Sequence, residues 1–180
     1  MMTSLPVPVI GVVHTRYLSM EETPIQAALN RAEHGVLDID PAYQDGLDGL
    51  EGFDYAWLLT WLHHRTEPLQ DPPALKQTPF LLRGTGRQVG IFATRGPRRV
   101  NPIGLSLVQI LAVTGFRVTF AGVDVVDGTP VIDLKPFVGR FDRPPGDPAC
   151  GWFDQITITD GVTPAALAAE SLNPDKRTAE

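Results

Sequence analysis

Cysteine is almost absent: Cys150 is the only thiol in 180 residues. No disulfide within one chain and no multi-cysteine zinc site can therefore form. Long apolar runs are missing as well. The longest stretch without a charged side chain, 100–116, contains Asn, Pro, Ser, Gln and Thr and is too short and too polar to span a bilayer. The start, Met1 to Val13, lacks a basic segment followed by a long apolar one, so it does not read as a signal peptide. Positive charge is scarce at first, with two Arg against nine acids in residues 1–62. The net charge of −6 argues against a general polyanion-coating protein. Seventeen prolines argue against a helical bundle, because Pro breaks helix interiors and sits well in turns and at strand edges. P-loop, nucleophile-elbow and zinc-protease motifs are all missing. A soluble cytoplasmic domain is the expectation that remains.

Short alternating or apolar runs, rich in Val, Ile, Thr, Phe and Trp, recur between Gly, Pro and Asp. They are 7–14, 36–39, 53–63, 88–94, 104–113, 117–126, 131–137 and 153–159, and each reads as a strand. Along 117–126 the apolar positions change face at Ala121-Gly122, which predicts a bulge or sharp bend there. Thr114-Gly115 and Asp127-Gly128 are turn signals. Helix is expected only over 25–34, 41–50 and 164–170. Many strands at close spacing with few helices predict a mainly β chain closed into an antiparallel barrel, with one or two short helices. Residues 1–159 are expected to form one domain, and 160–180 a fraying tail with few bulky apolar groups.

Charge is unevenly placed. Residues 1–62 carry −7, residues 63–100 carry +5 and residues 101–180 carry −4. The densest part of this basic island is 93–106, with Arg95, Arg98 and Arg99 in five positions. A connecting loop needs only turn formers, and three mutually repelling arginines are not among them. Their planar forks suit carboxylate or phosphate, so an anion-binding loop is expected. In the run 131–137, Asp133 and Lys135 interrupt apolar residues two positions apart, hence on one face. Either an ion pair near a barrel rim or a pocket lining follows. His63 and His64 are adjacent, so on a strand they point to opposite faces and do not chelate one metal. No metal site is expected. Gly84 to Gly90 has the glycines of a dinucleotide loop in the wrong register and no helix after it.

Several pieces together are similar to one family. They are Ile10-Gly11-Val12-Val13, Gly49-Leu50-Glu51-Gly52-Phe53, and Leu58-Leu59 leading to His63. They continue as Gly90-Ile91-Phe92-Ala93-Thr94-Arg95 with Asn101-Pro102-Ile103-Gly104-Leu105-Ser106, and end as Asp127-Gly128-Thr129-Pro130 running to Phe137. In order and spacing, from about residue 7 to 153, the chain resembles the TsaA-like (TrmO) family of class VIII S-adenosylmethionine-dependent methyltransferases. That resemblance implies a single-sheet β-barrel and methylation of N6 of N6-threonylcarbamoyladenosine beside the tRNA anticodon. It also implies a homodimer with the cofactor near its interface. The family's cofactor positions carry over to Pro24, Gln26, His63, His64, Arg95, Leu105, Asp127, Gly128, Thr129 and Pro130. Three positions depart from the family pattern: Ile25 replaces an Arg, Gly96 a Ser, and Val100 a Pro.

Displacement of a methyl group relies on positioning, and the delocalised N6 nitrogen must also lose a proton. His63, His64 and Asp133 are the candidate proton acceptors. Arg98, Arg99, Asn101 and Lys135 are candidates for holding substrate phosphates or carboxylate. A small-molecule acceptor, or a non-catalytic S-adenosylmethionine-binding module, are the alternatives from other classes.

Overall fold

The structure, a computed structural model, describes residues 5–62 and 74–171. Its strands are β1 (Gly11–His14), β2 (His34–Ile39), β3 (Tyr55–Trp61), β4 (Lys76–Gln77), β5 (Val89–Gly90), β6 (Ile103–Thr114), β7 (Arg117–Ala121) and β8 (Thr129–Pro136). Two helices, α1 (Gly139–Asp142) and α2 (Pro164–Ser171), follow. Six strands close into a barrel in the order β1-β2-β7-β6-β3-β8, every pairing antiparallel, with β8 returning to β1. β4 and β5 form a separate two-stranded ribbon. The expected mainly β barrel is the fold observed.

Alternation decides which side chains fill it. On β3, Ala56, Leu58 and Thr60 are buried inside while Tyr55 and Trp61 face outward. Val13, Leu37, Val108, Val118, Phe120 and Val131 join the same core. Gly35 lies opposite Phe120 across β2 and β7, and a Cβ there would enter the Phe120 ring. Glycine thus admits the largest fully buried side chain.

The two ends are closed differently. At one, short 3₁₀ turns over Pro41–Leu47 and Leu50–Gly52 drop Leu47 and Leu50 into the core. At the other, the segment 122–128 crosses the barrel mouth and buries Val123, Val125 and Val126. Gly122, at φ +91°, turns the chain out of β7. The change of face read at this glycine is therefore a strand end, and the bulge sits across from β7, between Ile110 and Ala112 of β6.

Three expected elements differ. Of 88–94 only Val89–Gly90 is strand, because a 3₁₀ turn over Ile91–Ala93 follows; Thr94 Oγ1 donates to the Ile91 carbonyl and closes it. Residues 153–159 are not a strand, since Gly151–Gln155 is a 3₁₀ turn whose Trp152 Nε1 donates to Ala93 O. The helix expected over 25–34 shrinks to Ala27–Leu29. Asn30 ends it by reaching Tyr17 Oη and Val123 O with its amide. Gly161 N donates to Leu29 O, Ile25 N to Val162 O and Ala165 N to Glu21 O, so part of 160–171 lies along residues 21–29.

Candidate active site at one end of the barrel

Strands β1, β3 and β7 end, and β2, β6 and β8 begin, at the same end of the barrel. The described connecting residues at that end are 15–33, 62, 74–102 and 122–128. Pro24, Gln26, Arg95, Leu105 and the turn Asp127–Pro130 all belong to this end, although up to 106 positions separate them in sequence. His63 and His64 lie outside the described residues.

Arg95 is exposed and donates from Nη2 to the carbonyl of Leu105 at 3.0 Å. The bond holds the guanidinium beside the start of β6, and among the described residues no other hydrogen bond engages its remaining N–H groups, which suit an anion. Behind it the loop is cross-tied. Arg99 Nη1 donates to Thr94 O at 3.0 Å, and Gln77 Nε2 donates to Thr94 Oγ1 at 2.8 Å. Arg99, proposed from sequence as an anion ligand, thus also acts as a buckle of its own loop. Asn101 is exposed, and its carbonyl accepts from Ile103 N at 2.8 Å.

The Asp127 turn is fixed from the β1 side. Thr129 N donates to Val126 O at 3.2 Å, and Gly128 takes φ +76°, the geometry of a type II turn with glycine at its third position. Asp127 Oδ1 accepts from Thr15 N at 3.0 Å, with His14 Nδ1 3.5 Å away. Gly128 N donates to Val13 O at 2.9 Å. Pro24 is buried, and Gln26 turns its side chain onto the carbonyl of Ile25.

Between these groups stands Asp124, which sequence reasoning passed over. Its Oδ1 accepts from Ser106 Oγ at 2.6 Å and its Oδ2 from Ala27 N at 2.9 Å. Burial pushes this carboxyl above the usual carboxylate range. Ser106, the Ala27 N–H and the nearby Arg95 charge pull it partly back. The signal was a single acid inside the apolar run Phe120 to Val126.

Asp133 and Lys135 are not part of this set. They form a 2.7 Å ion pair, and Asp133 borders an open groove of about 460 Å³ with Tyr43, Leu50 and Phe53. The ion-pair reading holds and Asp133 alone of the two borders the groove, with no described hydrogen bond or ion pair joining either to Arg95, Leu105 or the Asp127 turn. Among the described residues no cluster of three or more His, Cys, Asp or Glu could hold a metal ion, and no helix is long and apolar enough to cross a membrane.

The donor set fits S-adenosylmethionine. That cofactor combines a carboxylate, an ammonium and a sulfonium, one net positive charge. Arg95 offers a cation suited to the carboxylate, and Asp127 offers an anion to the positively charged groups.

A closed antiparallel barrel with Arg95, Leu105, Gln26 and the Asp127 turn gathered at one mouth defines the class, a small β-barrel protein with its candidate site between strand ends. The family model described as tRNA-methyltransferase O N-terminal domain matches residues 12–143, and the chain belongs to that family. It is 37% identical over 133 residues to a Methanothermobacter thermautotrophicus protein named "Probable S-adenosyl-L-methionine-binding protein", covering 74% of this chain and 90% of that one. It is 34% identical over 147 residues to the tRNA (adenine(37)-N6)-methyltransferase of Escherichia coli, covering 76% of this chain and 59% of that one. The crystal structure of TrmO from Pseudomonas aeruginosa superposes with a TM-score of 0.65 at 29% identity, covering 83% of this chain and 62% of that one. The chain thus spans about three fifths of the length of the last two.

Proposed function

We propose that this protein is an S-adenosylmethionine-dependent methyltransferase acting on N6 of N6-threonylcarbamoyladenosine beside the tRNA anticodon, in the cytoplasm, with residues 1–159 as its catalytic domain. The observation that carries this reading is the convergence of Arg95, Leu105, Gln26 and the Asp127–Pro130 turn on one barrel mouth, in a chain of this family. Arg95 would hold the cofactor's carboxylate, and the Asp127–Pro130 turn and the Gln26 segment would hold the rest of it. The cofactor supplies an electrophilic methyl group on sulfur. The protein's own tasks are then to orient the acceptor nitrogen and to take its proton. His63 and His64 are the candidates for that proton; Asp133, paired with Lys135 and bordering the groove beside Tyr43 and Leu50, stands apart from this mouth. Arg98, Arg99 and Asn101 lie on the loop that carries Arg95, where tRNA phosphates would dock.

A homodimer belongs to the same reading. The outer face of β3 and β6 pairs Leu59 with Leu105 and Trp61 with Ile103. Trp61, Ile103 and Leu105 are 36%, 42% and 46% exposed. A contiguous apolar sheet face of this kind favours burial against a partner. It runs directly into the cofactor site at Leu105, so a second copy seated there would border that site.

The experiment is mass spectrometry of anticodon-loop nucleosides from a deletion strain. Loss of the N6-methylated threonylcarbamoyladenosine is the expected result, and its persistence would overturn the assignment. One observation favours a small-molecule acceptor instead: Ile25, where the family has an Arg, removes a positive charge from the mouth. Persistence of the modified nucleoside would leave that reading standing.

A further inference from the structure

Ala27 opens a 3₁₀ turn whose N-cap residue, Gln26, makes no side-chain capping bond. The first N–H groups of such a turn need an acceptor from elsewhere. Here the acceptor is Asp124 Oδ2, 97 positions away, at 2.9 Å. Its other oxygen accepts from Ser106 Oγ at 2.6 Å. Ser106 follows Leu105, whose carbonyl receives Arg95. One side chain therefore ties the Pro24–Gln26 segment to the start of β6, and lies close enough to Arg95 for its charge to be felt. Three positions further along the same mouth-crossing segment stands Asp127, which opens the cofactor turn and is itself fastened to Thr15.

We propose that Asp124 is the positioning residue of the cofactor site. Its carboxylate caps the Ala27 turn in trans and clamps it to Ser106, so that the Gln26 segment and the Arg95–Leu105 pair face each other at a fixed separation. This rests on the proposed cofactor and extends it to a residue that no family motif named above includes. A bridge of two hydrogen bonds is suited to this task, because loss of either end frees a segment that touches the ligand without opening the core beneath. Asp124 faces two neutral donors and one cation, Arg95; no other charged group among the described residues acts on it appreciably.

The test separates positioning from simple support of the fold. Calorimetry with S-adenosylmethionine reports the dissociation constant and the binding stoichiometry independently. Damage to the fold lowers the stoichiometry and leaves the constant unchanged in the molecules still folded. Loss of positioning raises the constant at a stoichiometry of one per chain. Asp124→Ala is expected to raise it at least about tenfold. Asp124→Asn keeps the shape, and its amide can accept from Ala27 N and donate to Ser106 Oγ. It is expected to recover binding to within about threefold of wild type. Amide exchange at Ala27 should accelerate in Asp124→Ala and stay slow in Asp124→Asn, with or without cofactor.

An unchanged constant in Asp124→Ala, or a fall in stoichiometry alone, would overturn the inference while leaving the cofactor reading intact. So would equal weakening by Ala and Asn. A wild-type chain that does not bind S-adenosylmethionine would overturn both.

Discussion

Arg95 and Leu105 are joined by one hydrogen bond, Nη2 to carbonyl oxygen at 3.0 Å. Arg95 sits on a loop and Leu105 on β6, so the bond fixes a mobile class of side chain to a rigid strand. Arg95→Ala is expected to weaken S-adenosylmethionine binding by ~1.5–3 kcal/mol, the usual contribution of a hydrogen bond to a charged group. Calorimetry should then show roughly a tenfold to hundredfold rise in dissociation constant. An unchanged constant would remove Arg95 from the site.

Between β2 and β7, Arg117 lays its fork on Asp38 through bonds of 2.7 and 2.9 Å. The Arg117 hydrogen bonds hold the Asp38 carboxyl below its ordinary value, against the opposing effect of burial. A depressed carboxyl stabilises the fold above its unfolded pKa of about 3.9, and that contribution fades as pH falls through the lower folded value. Melting curves of Asp38→Asn against wild type should therefore differ at neutral pH and converge on acidification below about pH 4.

Asp124 carries the opposite sign. Its raised carboxyl favours the fold at pH below the unfolded value, and that preference is lost as pH rises through the folded one. The melting temperature of Asp124→Asn minus that of wild type should grow more positive from pH 4 upward. A difference that shrinks with rising pH would mean that the ionised carboxyl is favoured by folding.

Much of the barrel is legible in the sequence because inward and outward residues alternate. The runs at 36–39, 104–113 and 131–137 closely match β2, β6 and β8, and Thr114-Gly115 and Asp127-Gly128 turn where the glycines allow positive φ. The failures share a cause. The runs 88–94 and 153–159 have strand composition, but the first leaves its ladder after Gly90 for a turn closed by Thr94 on Ile91 O, and the second opens in a turn whose Trp152 reaches Ala93 O, 59 positions away. The helix expected over 25–34 loses its continuation to Asn30, whose partners Tyr17 and Val123 come from distant segments. The arginine-dense loop pointed to Arg95, and motif resemblance added its proposed cofactor role together with Leu105 and the Asp127 turn. Asp124 was missed because its two partners, Ala27 and Ser106, meet only in three dimensions.

Gly104 lies opposite Thr60 on the inner face of β3 and β6, and a Cβ there would overlap Thr60 Oγ1 and crowd Leu62. Gly104→Ala is expected to destabilise the fold by ~1–3 kcal/mol through overpacking, read as a lowered denaturation midpoint. Because Leu105 follows directly, cofactor affinity should fall as well.

The outer face of β3 and β6 gives a separate prediction. If it seats a second copy, light scattering should give about twice the 19.6 kDa chain mass. Ile103→Glu, which puts a charge at the centre of that face, should return a monomer. A monomeric wild type with full cofactor affinity would separate the site from any interface.

Transfer of label into tRNA tests the central reading most directly. Purified protein is incubated with S-adenosylmethionine carrying an isotope-labelled methyl group and with tRNA from a strain lacking this activity, and the digested nucleosides are weighed by mass spectrometry. Label on N6-threonylcarbamoyladenosine, lost with Arg95→Ala, is the expected result. Unlabelled tRNA from a protein that binds the cofactor tightly would contradict the assignment of tRNA as the acceptor.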